Sequence, residues 1–168
     1  MFYGNATDFE KYLTDRGREF SAQWSDEDIE AALLVVSEWL DSQYDDIWIG
    51  YKVTFDQERA WPRQSAMVLS YPSYTYKTNE IPQQVIYATY EAAQRELNNK
   101  GCLSPDYQPT PYNSVSIYNA VTVEYSTTVS SAGDIMTQIP AIQNLMSSLI
   151  DPQKSSGGNG LCGKAVRV

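Results

Sequence analysis

Carboxylates are the side chains whose number and spacing could most readily support chemistry in this sequence. They gather in two groups, at residues 26–30 and 41–46. Metal binding and acid–base catalysis both need carboxylates that converge in a pocket. The first group falls at the start of a predicted helix, where the helix dipole favours anions, and the second falls at its end. We therefore interpret both groups as solvent-facing helix ends, which argues against a metal site.

Histidine is absent from the sequence, which excludes Ser-His-Asp and Cys-His catalysis and every imidazole metal site. The two cysteines, Cys102 and Cys162, lie far apart and form no CxxC motif, so we interpret them as reduced thiols without a metal or redox role. The sequence also has no phosphate-binding loop, no dinucleotide-binding glycine motif and no GxSxG nucleophile elbow. From these features we predict a protein that is not an enzyme and that holds no cofactor.

The charge of the chain is strongly acidic and unevenly distributed. Its 12 basic and 21 acidic side chains give a net charge of −9, and the excess negative charge lies wholly in residues 1–60. This disfavours a nucleic-acid-binding protein that grips phosphates, since such binding needs a clustered basic face. Residues 152–168 carry basic but no acidic side chains, which suits either a docking arm for an acidic partner or a solubilising tail. The 13 tyrosines and 4 tryptophans suit both a core and an interface.

Capping residues and apolar periodicity predict a mainly helical chain. Thr7 begins the first predicted helix as its N-cap, and Gly17 ends it. Ser25 caps the second helix, over 26–44, in which apolar side chains recur every three or four residues. Further helices are predicted from Ile81-Pro82 to Gly101 and over 140–150. Period-two alternation over 115–126 predicts a β element, and the composition of residues 64–80 indicates a loop.

These elements predict one small helical bundle rather than two domains. The bundle covers residues 1–151, with an inserted loop at 64–80 and a β-hairpin or extended β element at 115–126. Residues 152–168 include a glycine- and serine-rich linker and are expected to form a flexible C-terminal arm. Trp61-Pro62-Arg63 is interpreted as a structural stop after a short helical turn, with a buried tryptophan and a surface arginine. No apolar run is long enough to cross a membrane, and the lack of a signal peptide predicts a protein made in a cytoplasm.

Six blocks of sequence, taken in order, resemble the head–tail adaptor (head-completion) proteins of tailed bacteriophages. This group includes members catalogued as DnaT-like single-stranded-DNA-binding proteins. The blocks lie at 5–17, 31–44, 57–63, 81–97, 121–125 and 139–149, and the most specific of them contains Gln57, Trp61, Pro62 and Arg63. The insertion at 64–79 and the cysteine-containing tail depart from the family pattern.

The resemblance implies a structural virion protein of the neck, made in the host cytoplasm. Copies would form a ring homo-oligomer, a dodecamer, between the portal protein and the tail or stopper proteins, and DNA would pass through the ring without specific binding. A ring needs a heterologous patch on each side of every subunit, and an acidic wall repels DNA phosphates. The alternative implied by the catalogue name is a DnaT-like single-stranded-DNA-binding replication accessory protein.

The resemblance also suggests two sets of site residues. The set expected to contact the portal or a neighbouring subunit comes from the inserted loop and the C-terminal arm: Tyr71, Tyr74, Tyr76, Lys164, Val166, Arg167 and Val168. The family motif is expected to be structural and comprises Gln57, Trp61, Pro62 and Arg63. The alternating residues at the end of the arm suit addition of a strand to an exposed sheet edge.

Overall fold

A computed structural model describes residues 1–68, 71, 74–104, 114–117, 121–124 and 139–155 of the chain. This described part contains five helices and two two-stranded antiparallel sheets, which confirms the predicted mainly helical fold. The helices are α1 (Ala6–Thr14), α2 (Asp26–Tyr44), α3 (Gln83–Asn98), α4 (Pro140–Met146) and α5 (Pro152–Ser155). The strands are β1 (Tyr51–Lys52), β2 (Arg63–Gln64), β3 (Ser114–Ile117) and β4 (Val121–Glu124). None of the described helices is long and apolar enough to cross a membrane.

The N-cap of α1 is Asn5 rather than the predicted Thr7. Oδ1 of Asn5 accepts a hydrogen bond from the backbone N–H of Asp8 at 2.8 Å, and Nδ2 of Asn5 donates to the Asp8 carboxylate at 2.7 Å. These bonds satisfy one of the free N–H groups at the start of the helix and hold an acid against the positive end of its dipole. Gly17 follows the helix as predicted, with a φ of +63° that favours glycine.

The second helix, α2, has the predicted bounds. Oγ of Ser25 accepts from the N–H of Asp28 at 3.1 Å and caps the helix as expected. α2 packs on α3, α3 packs on α4, and α1 contacts both α2 and α3. The predicted apolar stripe of α2 is buried in this contact, and its members are Ile29, Leu33, Val36, Trp39 and Leu40.

One hydrophobic core joins the helices to the chain segment between α2 and α3. Aromatic residues supply its largest fully buried side chains, which include Tyr3, Phe9, Trp48, Trp61 and Tyr90. Each such side chain removes roughly 150–250 Å² of surface from water. Among the described residues, four of the 13 tyrosines and three of the 4 tryptophans are buried in this core.

The two sheets are short hairpins. β1 pairs with β2, with Lys52 opposite Arg63. β3 pairs with β4, with Ile117 opposite Val121, which confirms the β element predicted at 115–126 over the residues that the structure describes. Residues 118–120 and 125–126 of that prediction lie outside the described part of the chain.

Two segments predicted to be irregular contain regular structure. Within the predicted loop 64–80, an isolated antiparallel bridge joins Met67 and Thr75. The predicted arm 152–168 begins with the single helical turn α5. Nζ of Lys154 in this turn donates to the carbonyl of Trp48 at 2.8 Å, which ties α5 to the segment before β1. Residues 156–168 of the arm lie outside the described part of the chain.

Candidate functional site

The family motif centres on a tryptophan that is buried, as predicted. The Trp61 ring lies between those of Trp48 and Tyr76, with ring centroids 5.8 Å apart in each case. The backbone N–H of Trp61 donates to the hydroxyl oxygen of Tyr3 at 3.0 Å, and the peptide bond between Trp61 and Pro62 is cis. The motif is thus fixed to the core on both of its faces.

Arg63 is buried, which corrects the prediction of a surface arginine. Its Nε donates to the carbonyl of Ile49 at 3.0 Å, and one of its terminal nitrogens donates to the carbonyl of Gly50 at 3.1 Å. The other terminal nitrogen forms an ion pair with Asp45 at 3.3 Å. Burial lowers the pKa of Arg63, and the Asp45 carboxylate opposes that effect. The planar fork of the guanidinium satisfies both carbonyls at once and so fixes the chain that leads into β1.

Gln57 holds the loop between β1 and β2 in shape. Its Oε1 accepts from the N–H of Val53 at 2.8 Å and from the N–H of Thr54 at 3.3 Å. Its Nε2 donates to the carbonyls of Arg59 at 2.6 Å and Pro62 at 3.1 Å. A glutamine can bridge the loop in this way because its side chain carries both an acceptor and two donors. The motif therefore positions residues 53–55.

Asp41 is the centre of a partly buried polar cluster rather than a solvent-facing helix end. Its Oδ1 accepts from the Tyr3 hydroxyl at 2.7 Å, and its Oδ2 accepts from the Ala60 N–H at 3.2 Å. The Arg59 guanidinium lies 3.5 Å from Oδ2. Burial raises the pKa of Asp41, against the lowering effect of these partners. The solvent-facing interpretation is therefore wrong for Asp41, although Asp46 is exposed.

The acidic group at 26–30 is placed largely as predicted. Asp26, Glu27 and Glu30 are exposed, and the backbone N–H of Asp28 donates to the N-cap residue Ser25. Among the described residues, no group of three or more cysteine or carboxylate side chains is arranged to hold a metal ion.

The thiol of Cys102 lies 3.8 Å from Oε2 of Glu96, and burial raises the pKa of that thiol. Cys162 lies outside the described residues.

A buried carboxylate on α3 joins it to α1 and to the residues that follow α1. Glu91 accepts hydrogen bonds from the Tyr12 hydroxyl at 2.8 Å and from the Arg18 guanidinium at 2.8 Å. Arg95 adds an ion pair at 3.1 Å. Burial acts to raise the pKa of Glu91, but the hydrogen bonds from Arg18, Tyr12 and Arg95 together lower it. Sequence reasoning missed this carboxylate because Tyr12 and Arg18 are distant from it along the chain, although Arg95 lies one helical turn away.

Two cations, Lys11 and Arg16, and three tyrosine rings line a surface cavity of about 260 Å³ beside α1 and α3. The guanidinium carbon of Arg16 lies 3.6 Å from the ring centroid of Tyr12 and 5.0 Å from that of Tyr87. Exposed aromatic and arginine surfaces are platforms on which nucleobases can stack. Asp8 and Asp15 also line the cavity, so carboxylates lie beside the one stacked cation.

Six of the ten lysine and arginine side chains in the described part of the chain are paired with the protein's own carboxylates. Ion pairs with carboxylates involve Arg18, Lys52, Arg59, Arg63, Arg95 and Lys100. Phosphate binding depends on cations that release counterions when the nucleic acid arrives. Cations already paired with the protein's own carboxylates contribute little to such binding.

Three exposed apolar residues lie at the start of β1 and in the loop after it, and we call them the hairpin tip: Tyr51, Val53 and Phe55. Phe55 is fully exposed, and 66% of Tyr51 is exposed. Contiguous exposed apolar residues of this kind mark interaction sites. The hairpin tip is absent from the sequence-based predictions, although apolar residues at 51, 53 and 55 alternate with polar residues at 52 and 54. That period-two pattern was the available signal.

The predicted interface residues are divided between surface and core. Tyr71 and Tyr74 are exposed, by 68% and 43%. Tyr76 is buried, packs on Trp61 and donates from its hydroxyl to Gln84 at 3.3 Å, so its assignment to an exposed interface is corrected. The remaining predicted residues lie outside the described part of the chain: Lys164, Val166, Arg167 and Val168.

The fold and these surfaces define a small, mainly helical, acidic protein with a buried motif and an exposed hairpin tip. Residues 3–168 match the family model described as "Putative DnaT-like ssDNA binding protein". The chain belongs to this family, which confirms the DnaT-like part of the resemblance. The head–tail adaptor assignment stays a prediction. No curated protein and no solved structure matched the chain.

Proposed function

We propose that the chain is a structural, non-catalytic head–tail adaptor subunit, which forms a ring between a phage portal and the tail or stopper proteins. The observation that carries the proposal is the fully exposed Phe55 at the hairpin tip of a chain in which six of the ten described cations are paired. The ordered sequence blocks that resemble adaptor proteins support the choice of a virion neck as the location.

The hairpin tip suits a protein partner better than a nucleic acid. Aromatic side chains are enriched at the buried centres of protein interfaces, where a few of them supply most of the binding energy. Fully burying one phenylalanine contributes roughly 1.5–3 kcal/mol. The buried hydrogen bond of Arg63 and the surface hydrogen bonds of Gln57 hold the loop that presents Phe55, so less conformational freedom is lost when a partner binds.

The acidic charge fits a subunit that surrounds DNA without gripping it. A net charge of −9 in each copy would line a ring with negative potential. Such a wall repels phosphates and lets the duplex slide past. Membranes have no part in this proposal.

Single-stranded-DNA binding is the second candidate function, and the family description favours it by name. Within the structure, the stack of Arg16 on Tyr12 and Tyr87 is the feature that would serve it, since bases stack on aromatic and guanidinium planes. The ion pairs that Arg18 and Arg95 form with Glu91, on the neighbouring part of the molecule, weigh against it.

Titration with a fluorescent oligothymidylate at low and at physiological salt separates the two candidates. The adaptor proposal predicts negligible binding at physiological salt, because few cations are free to release counterions. Micromolar binding with a steep salt dependence, weakened by Arg16→Ala but not by Phe55→Ser, would instead establish the DNA-binding function. Electron microscopy of the protein mixed with the portal encoded by the same genome should show a ring on the portal if the adaptor proposal holds.

A further inference from the structure

A surface groove of about 580 Å³ lies between the segment that joins α1 to α2 and the C-terminal half of α3. Its principal lining residues are Arg18, Phe20, Trp24, Gln94 and Asn98. Pockets that bind ligands in proteins have volumes of roughly 300–1,000 Å³. The groove shares no described lining residue with the cavity beside α1 or with the hairpin tip. It is therefore a separate candidate site.

Two partly buried aromatic rings form one wall of the groove. The rings of Phe20 and Trp24 meet edge to face, with centroids 5.7 Å apart and planes at 90°. Their centroids lie 6.4 Å and 6.3 Å from that of the fully buried Phe9. The backbone N–H of Trp24 donates to the carbonyl of Ser21 at 3.1 Å, which fixes the turn that presents the ring. A preformed aromatic wall of this kind suits an apolar side chain, because little freedom is lost when one packs on it.

Arg18 supplies the groove with a cation that has one edge unused. Its Nη1 donates to Glu91 at 2.8 Å and to Oε1 of Gln94 at 3.0 Å. Neither Nε nor Nη2 of Arg18 forms a hydrogen bond with any described residue. Nε and Nη2 together form a planar fork, which can bind a carboxylate through two parallel hydrogen bonds.

The charge of Arg18 is only partly neutralised by its surroundings. Glu91 also forms an ion pair with Arg95 at 3.1 Å, so two guanidinium groups share one buried carboxylate. The side chain of Arg18 is 35% exposed and so can be reached from solvent. Glu19 lines the groove as well, but it is exposed, so water and salt screen its charge. The groove thus offers excess positive charge to an anionic ligand.

Two side-chain amides on α3 add hydrogen-bonding groups to the groove. A guanidinium carries donors only, so Arg18 contacts the oxygen of the Gln94 amide. The Nε2 group of Gln94 is left without a hydrogen-bond partner among the described residues. Asn98 lies one helical turn further along α3, on the same side, and is exposed. Such amides can donate to and accept from a polypeptide main chain.

We propose that the groove binds the C-terminal residue of a partner polypeptide in which that residue is apolar. Its α-carboxylate pairs with the free edge of Arg18, and its side chain packs on Phe20 and Trp24. The amides of Gln94 and Asn98 bond the main chain that leads to it. A chain terminus meets these needs at once, because one carbon atom carries both the carboxylate and the side chain. The proposal does not depend on the adaptor role and involves neither a ring nor a portal.

Titration of the full-length protein with capped dipeptides, followed by ¹H–¹⁵N NMR, tests this assignment. The first probe is acetyl-alanyl-phenylalanine with a free carboxylate, and its matched control is the same peptide as a C-terminal amide. A third probe, acetyl-phenylalanyl-aspartyl amide, carries an internal carboxylate beside the same side chain. Comparing the three probes on the wild type needs no variant, so the test does not depend on the folding of a mutant.

Two variants that each remove one positive charge complete the experiment. Arg18→Gln removes the fork, while Glu91 keeps its contacts with Tyr12 and Arg95. Lys77→Gln removes an exposed cation that lies outside the groove.

The wild type should bind the free-carboxylate peptide at least about tenfold more tightly than the amide, as the loss of a bidentate charged contact implies. The shifts should centre on residues 18–24 and 94–98. Arg18→Gln should remove most of the difference between the two peptides, and Lys77→Gln should preserve it. Equal affinities for the two peptides, or shifts that avoid residues 18–24, would overturn the proposal. Equally tight binding of the aspartyl peptide would overturn the assignment to a chain terminus.

Discussion

Arg63 donates from Nε to the backbone carbonyl of Ile49 at 3.0 Å, and both residues are buried. The same guanidinium reaches Gly50 and Asp45, so one side chain joins β2 to the chain before β1. Buried carbonyls need such partners, since an unsatisfied polar group in the core costs about 1–3 kcal/mol. This arginine is the link between the buried family motif and the hairpin that carries the exposed tip.

Arg63→Ala should lower the free energy of unfolding by roughly 1–3 kcal/mol, because it leaves the buried carbonyl of Ile49 without the donor that Arg63 supplies. Arg63→Lys should recover only part of that loss, since an ammonium cannot match the guanidinium fork. Urea denaturation of the three proteins measures both effects. A loss below about 1 kcal/mol for the alanine variant would show that water replaces these contacts at little cost.

Gly50 precedes β1 with a φ of +67°, and a Cβ there would lie 2.5 Å from the carbonyl oxygen of Gln64. Gly17 has a similar φ of +63°, but a Cβ there would meet nothing within 4 Å. Gly17→Ala should therefore cost only the left-handed backbone penalty of about 1–2 kcal/mol. Gly50→Ala should cost clearly more, as measured by thermal unfolding. Equal losses would mean that the hairpin can move away from the added methyl group.

Asn5→Ala should lower the free energy of unfolding by about 1 kcal/mol, the usual effect of losing an N-cap. Thr7→Ala lies within α1 and should change it by less than about 0.5 kcal/mol. Chemical denaturation of both variants compares the observed cap with the one expected from sequence. The reverse order of losses would restore Thr7 as the cap.

The helices were predictable from sequence where the signals were local. In α2, Ser25 and a regular apolar stripe predicted both the cap and the buried face. For α1, two cap candidates stand two positions apart, and the capping-box pattern at Thr7 favoured the wrong one. Local patterns thus predicted that these helices exist more accurately than they predicted the residues at which the helices begin.

The candidate site was harder to predict because its contacts join distant parts of the chain. Burial of Arg63 depends on carbonyls at Ile49 and Gly50, which no local pattern pairs with it. The same holds for Tyr76, whose core position depends on Trp61. The acid-rich end of α2 was predicted to face solvent because the two partners of Asp41 are distant in sequence. Tyr3 comes from the N-terminus, and Arg59 comes from the loop after β1.

The buried Glu91 should make stability depend on pH in the acid range. Its pKa is lowered in the folded protein from an ordinary value of 4.5, mainly through hydrogen bonds from Arg18, Tyr12 and Arg95 that outweigh burial. The folded state therefore binds fewer protons there than the unfolded state. The stabilisation is fully present above pH 4.5 and is lost as the pH falls through the lowered folded value.

Urea unfolding of the wild type and of Glu91→Gln between pH 7 and pH 3 measures this contribution. The wild type should lose more stability on acidification than the variant, because the variant has no proton to take up at this position. Glu27→Gln, at an exposed position of α2, should retain the wild-type slope. Parallel curves for the wild type and Glu91→Gln would contradict the assignment of Glu91 as an ionised carboxylate that is paired with Arg18 and Arg95.

The most direct test of the adaptor proposal is co-sedimentation of the full-length chain with the portal encoded by the same genome. Wild-type protein should sediment with the portal in a fixed ring stoichiometry. Phe55→Ser should weaken this binding at least tenfold, as expected for the loss of about 1.4 kcal/mol or more at an interface anchor. Val35→Ser, at an exposed apolar position of α2, should bind like the wild type. Absence of wild-type co-sedimentation, together with micromolar binding of single-stranded DNA, would contradict the adaptor function.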